Sequence, residues 1–208
     1  MDSWNWSLSS NGNFTTKKLS TLIDEKILSG YSRTNSETLK NYLVPNKLEI
    51  FIWRVLKRRL PVRIELDKRG IDLDSVRCPI CDDDVESLDH LLFFCRVSMD
   101  VWDKVYKWWG LDAVTNLSIS EAFRGKCNRN LSHLESLVWQ AIEWTCASFI
   151  WRNRNQKVFT NSCWSVPVLM MEIQLKSFEW ISNRIKDRKL DWLIWISDPC
   201  SSLARIRV

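Results

Sequence analysis

Cys78-Pro79-Ile80-Cys81, followed eight residues later by His90 and four residues after that by Cys95, is the set of side chains best spaced to do chemistry together. A two-residue gap lets two thiolates converge on one ion from a tight knuckle, whose backbone N–H groups after the first cysteine can donate to its sulfur. Pro79 stiffens that turn where a missing N–H does least harm. Three thiolates and one imidazole complete a tetrahedron around a single zinc ion and leave no open position for water or substrate, so the expected site is structural. The step from His90 to Cys95 covers about 140° on an ideal helix, which is not one face. A helix starting near Ser87, with Leu88, Leu91 and Leu92 toward the core, must therefore loosen or end before Cys95.

Other candidates are weaker. Cys127, His133 and Cys146 are irregularly spaced, and Cys146 falls in a helical apolar stripe, so they read as ordinary residues rather than a second zinc site. His133 has no nucleophile or carboxylate partner at a meaningful spacing, and Asp82-Asp83-Asp84 reads as a solvated turn. An enzyme is the function class with least support.

The elements that position the cluster follow from periodicity. Ser3-Trp4-Asn5-Trp6-Ser7-Leu8 alternates and runs into Asn11-Gly12, which predicts a short β-hairpin closing near Phe14. Thr15 or Thr16 can cap a helix with Leu19, Leu22, Ile23 and Ile27 on one face, ended by Gly30. Pro45 opens a second helix, with Leu48, Phe51, Ile52, Val55, Leu56 and Leu60 on its apolar side, expected to run to Pro61. A helical turn from Glu65 to Arg69 should end at Gly70, and a helix through Val101, Trp102, Val105, Trp108 and Trp109 at Gly110. Long helical patterns follow through Leu134 to Ile150 and Leu169 to Ile185, separated by a break near Asn161 to Pro167. The stretch Leu190 to Ile196 fits a strand or a helical turn equally. The expected fold is mainly α, helix-dominated α+β, with a short N-terminal β-hairpin and a small zinc knuckle. The expected organisation is a domain over 1–110, a polar linker over 111–130 and a helical tail region over 131–208.

Positive charge collects on the outer face of the second helix and just beyond it, at Lys47, Arg54, Lys57, Arg58, Arg59 and Arg63, with a second group at Arg152, Arg154 and Lys157. A solvated face and a phosphate-contacting face are both open readings. The formal net charge of +5, lowered to about +4 by a zinc bound to three thiolates, is too small to establish nucleic-acid binding. The 208 residues include 13 Trp, which read first as core aromatics and second as stacking surfaces for unpaired bases. The absence of a long uncharged apolar run and of a signal-like N-terminus, together with seven scattered cysteines, points to a reducing intracellular compartment, nucleus or cytoplasm undecided, and to no membrane association.

Several ordered motifs together resemble the zinc-binding domain that lies at the C-terminal end of reverse transcriptase polyproteins in plant non-LTR, LINE-type retrotransposons. They are Asp2-Ser3-Trp4-Asn5-Trp6 with Gly12-Asn13-Phe14, Val44-Pro45-Asn46-Lys47, Phe51-Ile52-Trp53-Arg54, Arg59-Leu60-Pro61, the cysteine knuckle, Glu86-Ser87-Leu88-Asp89-His90-Leu91 with Cys95, and Val101-Trp102. Trp151-Arg152-Asn153-Arg154-Asn155 with Val158-Phe159 is similar to the tail that follows this domain. The resemblance implies a nucleic-acid-associated module downstream of an RNA-directed DNA polymerase, with RNA or DNA and a reverse transcriptase domain as partners. The polymerase's aromatic-x-Asp-Asp signature is absent from the chain. With Met1 just ahead of the hairpin, the chain reads as a fragment or degenerate copy of a larger element. A protein-interaction or purely structural module is the alternative.

Overall fold

Pro45, with φ −71° and ψ 148°, is the N-cap of helix α1, Asn46–Leu56, which buries Leu48, Ile52 and Val55 as its periodicity predicts. The computed structural model describes residues 15, 16, 18, 39–112, 119, 121–124, 130–185 and 189–204. The expected β-hairpin and most of the helix after it lie outside these residues; Thr15 Oγ1 accepts the Lys18 N–H at 3.3 Å, as an N-cap does. Residues 1–38 form a unit of their own, and 39–208 form a second compact unit.

Helix α1 stops one turn short of the expected Pro61. Arg58 turns left-handed at φ 51°, and the N–H groups of Arg58 and Arg59 return to Val55 and Arg54 at 2.9 and 2.8 Å. This is a Schellman ending with arginine where glycine is usual. The left-handed backbone costs roughly 1 kcal/mol. A bidentate bond from Arg58 to Asp89, at 2.6 and 3.1 Å, anchors that turn to the segment carrying His90. Leu60 and Val62 are then buried by irregular chain, and a short helix, α2 (Arg63–Asp67), leads to Gly70 at φ 74°.

A π-helical turn, His90–Phe94, precedes α3, Arg96–Trp109, which ends at a left-handed Gly110. The polar residues that close the next loop place Ser132 at the head of α4, His133–Thr160, where Ser132 and Glu135 form a reciprocal capping box. Helix α4 is buried nearly all round from Val138 to Ile150, with Gln140, Glu143 and Thr145 among the buried residues, and a helix buried on all sides is a central one. It packs against α1, the π-turn, α3 and α5 (Val166–Ser182). Asn41 fixes the approach to α1 by donating to Leu137 O at 2.8 Å and to Gln140 Oε1 at 3.0 Å on α4.

The undecided tail is helical: α6, Trp192–Ser197, is capped by Asp191, which accepts from Leu193 and Ile194, and is followed by α7, Pro199–Ala204. Trp195 is wholly buried, and its carbonyl accepts the Trp108 indole N–H at 2.9 Å. Between α3 and α4, Ile119, Ala122 and Phe123 are also buried, with Phe123 O accepting from Gln140 and Trp144. The one β pairing among the described residues is an antiparallel bridge between Arg77 and Val85. The described chain is therefore helix-dominated. None of its helices is long and apolar enough to cross a membrane.

Candidate metal centre

The Arg77–Val85 bridge brings Cys78 and Cys81 into one turn, with the Cys78 N–H donating to Asp84 O at 2.7 Å and the Asp82 N–H returning to Cys78 O at 2.9 Å. Asp82 takes the left-handed conformation, φ 59°, that reverses the chain. The backbone N–H groups of Ile80 and Cys81 point at the Cys78 sulfur, as the two-residue gap predicts.

Ser87 begins the second half of the site by accepting the His90 N–H at 3.0 Å. The Cys95 N–H then bonds His90 O at 2.6 Å, a step of five residues instead of four. This wider winding is the loosening that the His90–Cys95 spacing requires, because it brings residues five apart close to a single turn. Widening a helix and ending it at Cys95 strands carbonyls, and α3 satisfies two of them. Ser98 Oγ donates to Leu91 O at 2.6 Å, and Trp102 Nε1 donates to Leu92 O at 2.7 Å.

The four ligand atoms lie within 4.8 Å of one another, and all four residues are buried. Tetrahedral zinc–thiolate bonds of about 2.3 Å place sulfurs roughly 3.8 Å apart, so the cluster is of the right size. His90 Nε2 faces the group, 3.3 Å from Cys81 Sγ, while Nδ1 faces outward, 3.7 Å from Asp84 Oδ2. Cys95 caps α3, and its thiol is pulled down to about 5, first by the hydrogen bond from Cys78 and then, against burial, by the Ser98 and Val97 N–H groups. Cys78 is pushed up by giving that hydrogen bond and by burial. The Cys78 and Cys95 sulfurs are buried and close together, and a divalent cation with a preference for thiolate would take the place of their protons. Arg96 balances the anionic site, donating to Cys81 O at 3.2 Å and pairing with Asp83 at 3.3 Å. The set fits one structural zinc, with no ligand position left for chemistry.

Residues 14–102 match the family model described as zinc-binding in reverse transcriptase. The match covers under half of the chain and makes that segment similar to the zinc-binding part of reverse transcriptases, in keeping with its buried ligands. All four ligands fall inside the matched segment. No curated protein and no solved structure matches the chain.

The basic residues expected to touch nucleic acid separate into two groups around this candidate metal centre. Arg54, Lys57 and Arg59 are exposed, and no carboxylate among the described residues pairs with them. Arg58 is held by Asp89, and Arg63 donates to Arg77 O at 2.8 Å. Arg152 is exposed but lies over the Phe149 and Trp164 rings, and Lys157 donates to Asn161. Arg154 corrects the reading of a second surface patch. It is buried, and its Nε and Nη2 donate to Glu86 at 2.6 and 2.7 Å. Its side of α4 faces the zinc-binding segment, not solvent.

Asp84, read from sequence as part of a solvated turn, is exposed as expected, and its Oδ2 stands 3.7 Å from His90 Nδ1, a gap that must close for the two to hydrogen-bond. A carboxylate beside the outer nitrogen of a ligating imidazole fixes its orientation and raises its basicity. Asp84→Asn is expected to lower zinc affinity by about 10- to 100-fold with the helical content unchanged. Competition with a chromophoric chelator measures this, and equal affinities would remove Asp84 from the site.

Proposed function

We propose that the chain is a retrotransposon-derived, zinc-folded accessory module of a reverse transcriptase that binds nucleic acid and has no polymerase activity of its own. The observation that carries this reading is the uncompensated positive charge on α1. Lys47, Arg54, Lys57 and Arg59 are exposed, and Glu49, the one carboxylate of α1, accepts the Asn41 N–H at 2.9 Å. Near the candidate metal centre, Asp83 pairs with Arg96 and Asp89 with Arg58, while Asp82 is exposed without an ion pair among the described residues. Exposed carboxylates without an ion pair also stand in the segment at Asp67, Asp72 and Asp74, but none of these, nor Asp82, lies on α1 or its C-terminal turn, where the four cations cluster. The motifs shared with plant LINE-type elements favour that origin, an intracellular setting, and a reverse transcriptase domain as protein partner.

Phosphate contacts release counterions, so affinity for a labelled oligonucleotide should fall linearly with salt on logarithmic axes. Arg54→Gln should reduce that slope by about 0.7 to 0.9, the share of one contact. Arg154→Lys serves as a contrast, because its effect should appear in stability and not in slope. Affinity independent of salt would overturn the nucleic-acid reading and favour a protein-interaction role, for which exposed Phe159 and Leu193 are the candidate contacts.

A further inference from the structure

Lys47, Ile50, Trp53, Arg54 and Lys57 fall within about 120° of one helix surface at 100° per residue. All five are exposed, and the carboxylate of Glu49 is engaged with backbone outside that sector. Within this basic face stand apolar groups that a merely solvated surface would not call for. Ile50 is 59% exposed, Trp53 37%, and Tyr42, just ahead of the helix, 62%. The Arg59 guanidinium lies 5.1 Å from the centre of the Trp53 ring, because the left-handed turn at Arg58 folds the chain back and sends the Arg59 N–H to Arg54 O. The indole is therefore held in place from one side by a cation, while over a third of the residue remains open to solvent.

From this we infer that the exposed face of α1 binds unpaired nucleic acid, with Trp53 as the platform on which one base stacks and Arg54, Lys57 and Arg59 as contacts to the flanking phosphates. The inference rests on the nucleic-acid reading above and narrows it. A duplex offers phosphates but keeps its base faces stacked, so an aromatic ring placed among the cations would gain nothing from it. A single strand offers both groups at alternating positions, and every base has a π face, so such a platform is tolerant of sequence. A protein partner for Ile50 and Trp53 would have to bring carboxylates to four unmatched cations, whereas a nucleic-acid backbone brings one anion per residue. Arg58 and Arg63 play no part in this face, because Asp89 and the Arg77 carbonyl hold them.

The test uses the full chain with zinc bound and four labelled probes read by fluorescence anisotropy: oligothymidylate, oligouridylate, and a DNA and an RNA duplex of matched length. Both single strands are expected to bind more tightly than either duplex. Trp53→Ala is expected to weaken the single strands by about 5- to 150-fold while leaving the duplexes within about twofold, and Trp53→Phe to restore most of the loss. Zinc content and thermal unfolding of each variant confirm that its fold persists. The two single strands report whether ribose or deoxyribose is preferred. Salt-dependent binding that Trp53→Ala leaves unchanged, or weakens equally for duplex and single strand, would overturn the platform and preserve the phosphate reading. Absence of salt-dependent binding to all four probes would overturn both.

Discussion

Cys81→Ser leaves the protein without zinc and without its wild-type cooperative unfolding transition. The expectation follows from how little else holds the segment it belongs to. Helix α2 has no fully buried residue, and Ile71, Asp72, Asp74, Asp82, Asp83 and Val85 are all exposed. Between Val62 and Leu88, the buried side chains are Cys78, Cys81 and Glu86. Two of those three are metal ligands, so the hydrophobic effect contributes little there, and zinc closes the loop instead. Such closure is worth about 10 to 16 kcal/mol in small finger peptides, comparable to the whole stability of a typical domain, about 5 to 15 kcal/mol. A serine hydroxyl does not replace the thiolate, and three ligands are left where a tetrahedral site needs four. Metal analysis should give one zinc per wild-type chain and none in the variant. Circular dichroism should show a broadened, lowered melt in the variant and in chelator-treated wild type. Cys146→Ala, in the apolar interior of α4, should keep the zinc and lose only about 1 to 3 kcal/mol from its small cavity. A Cys81→Ser protein retaining a full equivalent of zinc, or wild type melting identically with and without chelator, would sink the assignment.

What could be read ahead of the structure was whatever leaves a local pattern. The ligand set is legible because a two-residue thiolate gap has few other uses, and the irregular backbone at His90–Phe94 was required by the His90–Cys95 spacing before its form was known. Helix starts and stops at Pro45, Gly110 and Asn161, and the turn at Gly70 beyond the short helix, follow from φ preferences that single residues carry. His133 is exposed at the start of α4 and Cys146 buried in its middle, as periodicity suggests, while Cys127 lies outside the described residues.

Misread or undecided features depend on residues far apart in the chain. The end of α1 is set by Arg58 meeting Asp89, and no propensity places an arginine at positive φ. The tail from Leu190 is rich in Trp and Ile, which suit a strand as well as a helix; Asp191 capping and the burial of Trp195 decide it. Arg154 looked like a surface cation because Arg152, two residues away, is one. The partner that draws it inward is Glu86, 68 positions earlier, and such a separation has no signature in a single sequence.

Arg154→Ala is expected to cost about 3 to 5 kcal/mol of stability, the second largest effect after loss of the metal. The side chains of Glu86 and Arg154 are 0% and 5% exposed, and both carboxylate oxygens are used. Oε1 takes the Arg154 Nε–H at 2.6 Å; Oε2 takes Nη2–H at 2.7 Å and the Arg63 backbone N–H at 2.8 Å. The guanidinium also lies 5.0 Å from the centre of the Trp151 ring and donates to Asn155. Truncating either partner leaves the other charged, buried and short of hydrogen bonds, and that uncompensated charge is the source of the cost. Removing both should therefore hurt less than the single changes summed. Glu86→Met with Arg154→Met is expected to recover most of the loss, which a double-mutant cycle on urea unfolding reads directly. The pair also bears on the metal. Glu86 lies between Cys81 and His90 in the chain, with its N–H on Val76 O and its carbonyl accepting from Ile64. Freeing it from α4 loosens the loop on which both ligands depend, so Arg154→Ala should release zinc at lower chelator concentration although it carries no ligand. If the variant is destabilised yet holds zinc as tightly as wild type, the clamp and the metal are independent. If both fall together, zinc binding and the packing of α4 form a single cooperative unit, in which a residue beyond the family-matched segment helps to keep the zinc in place.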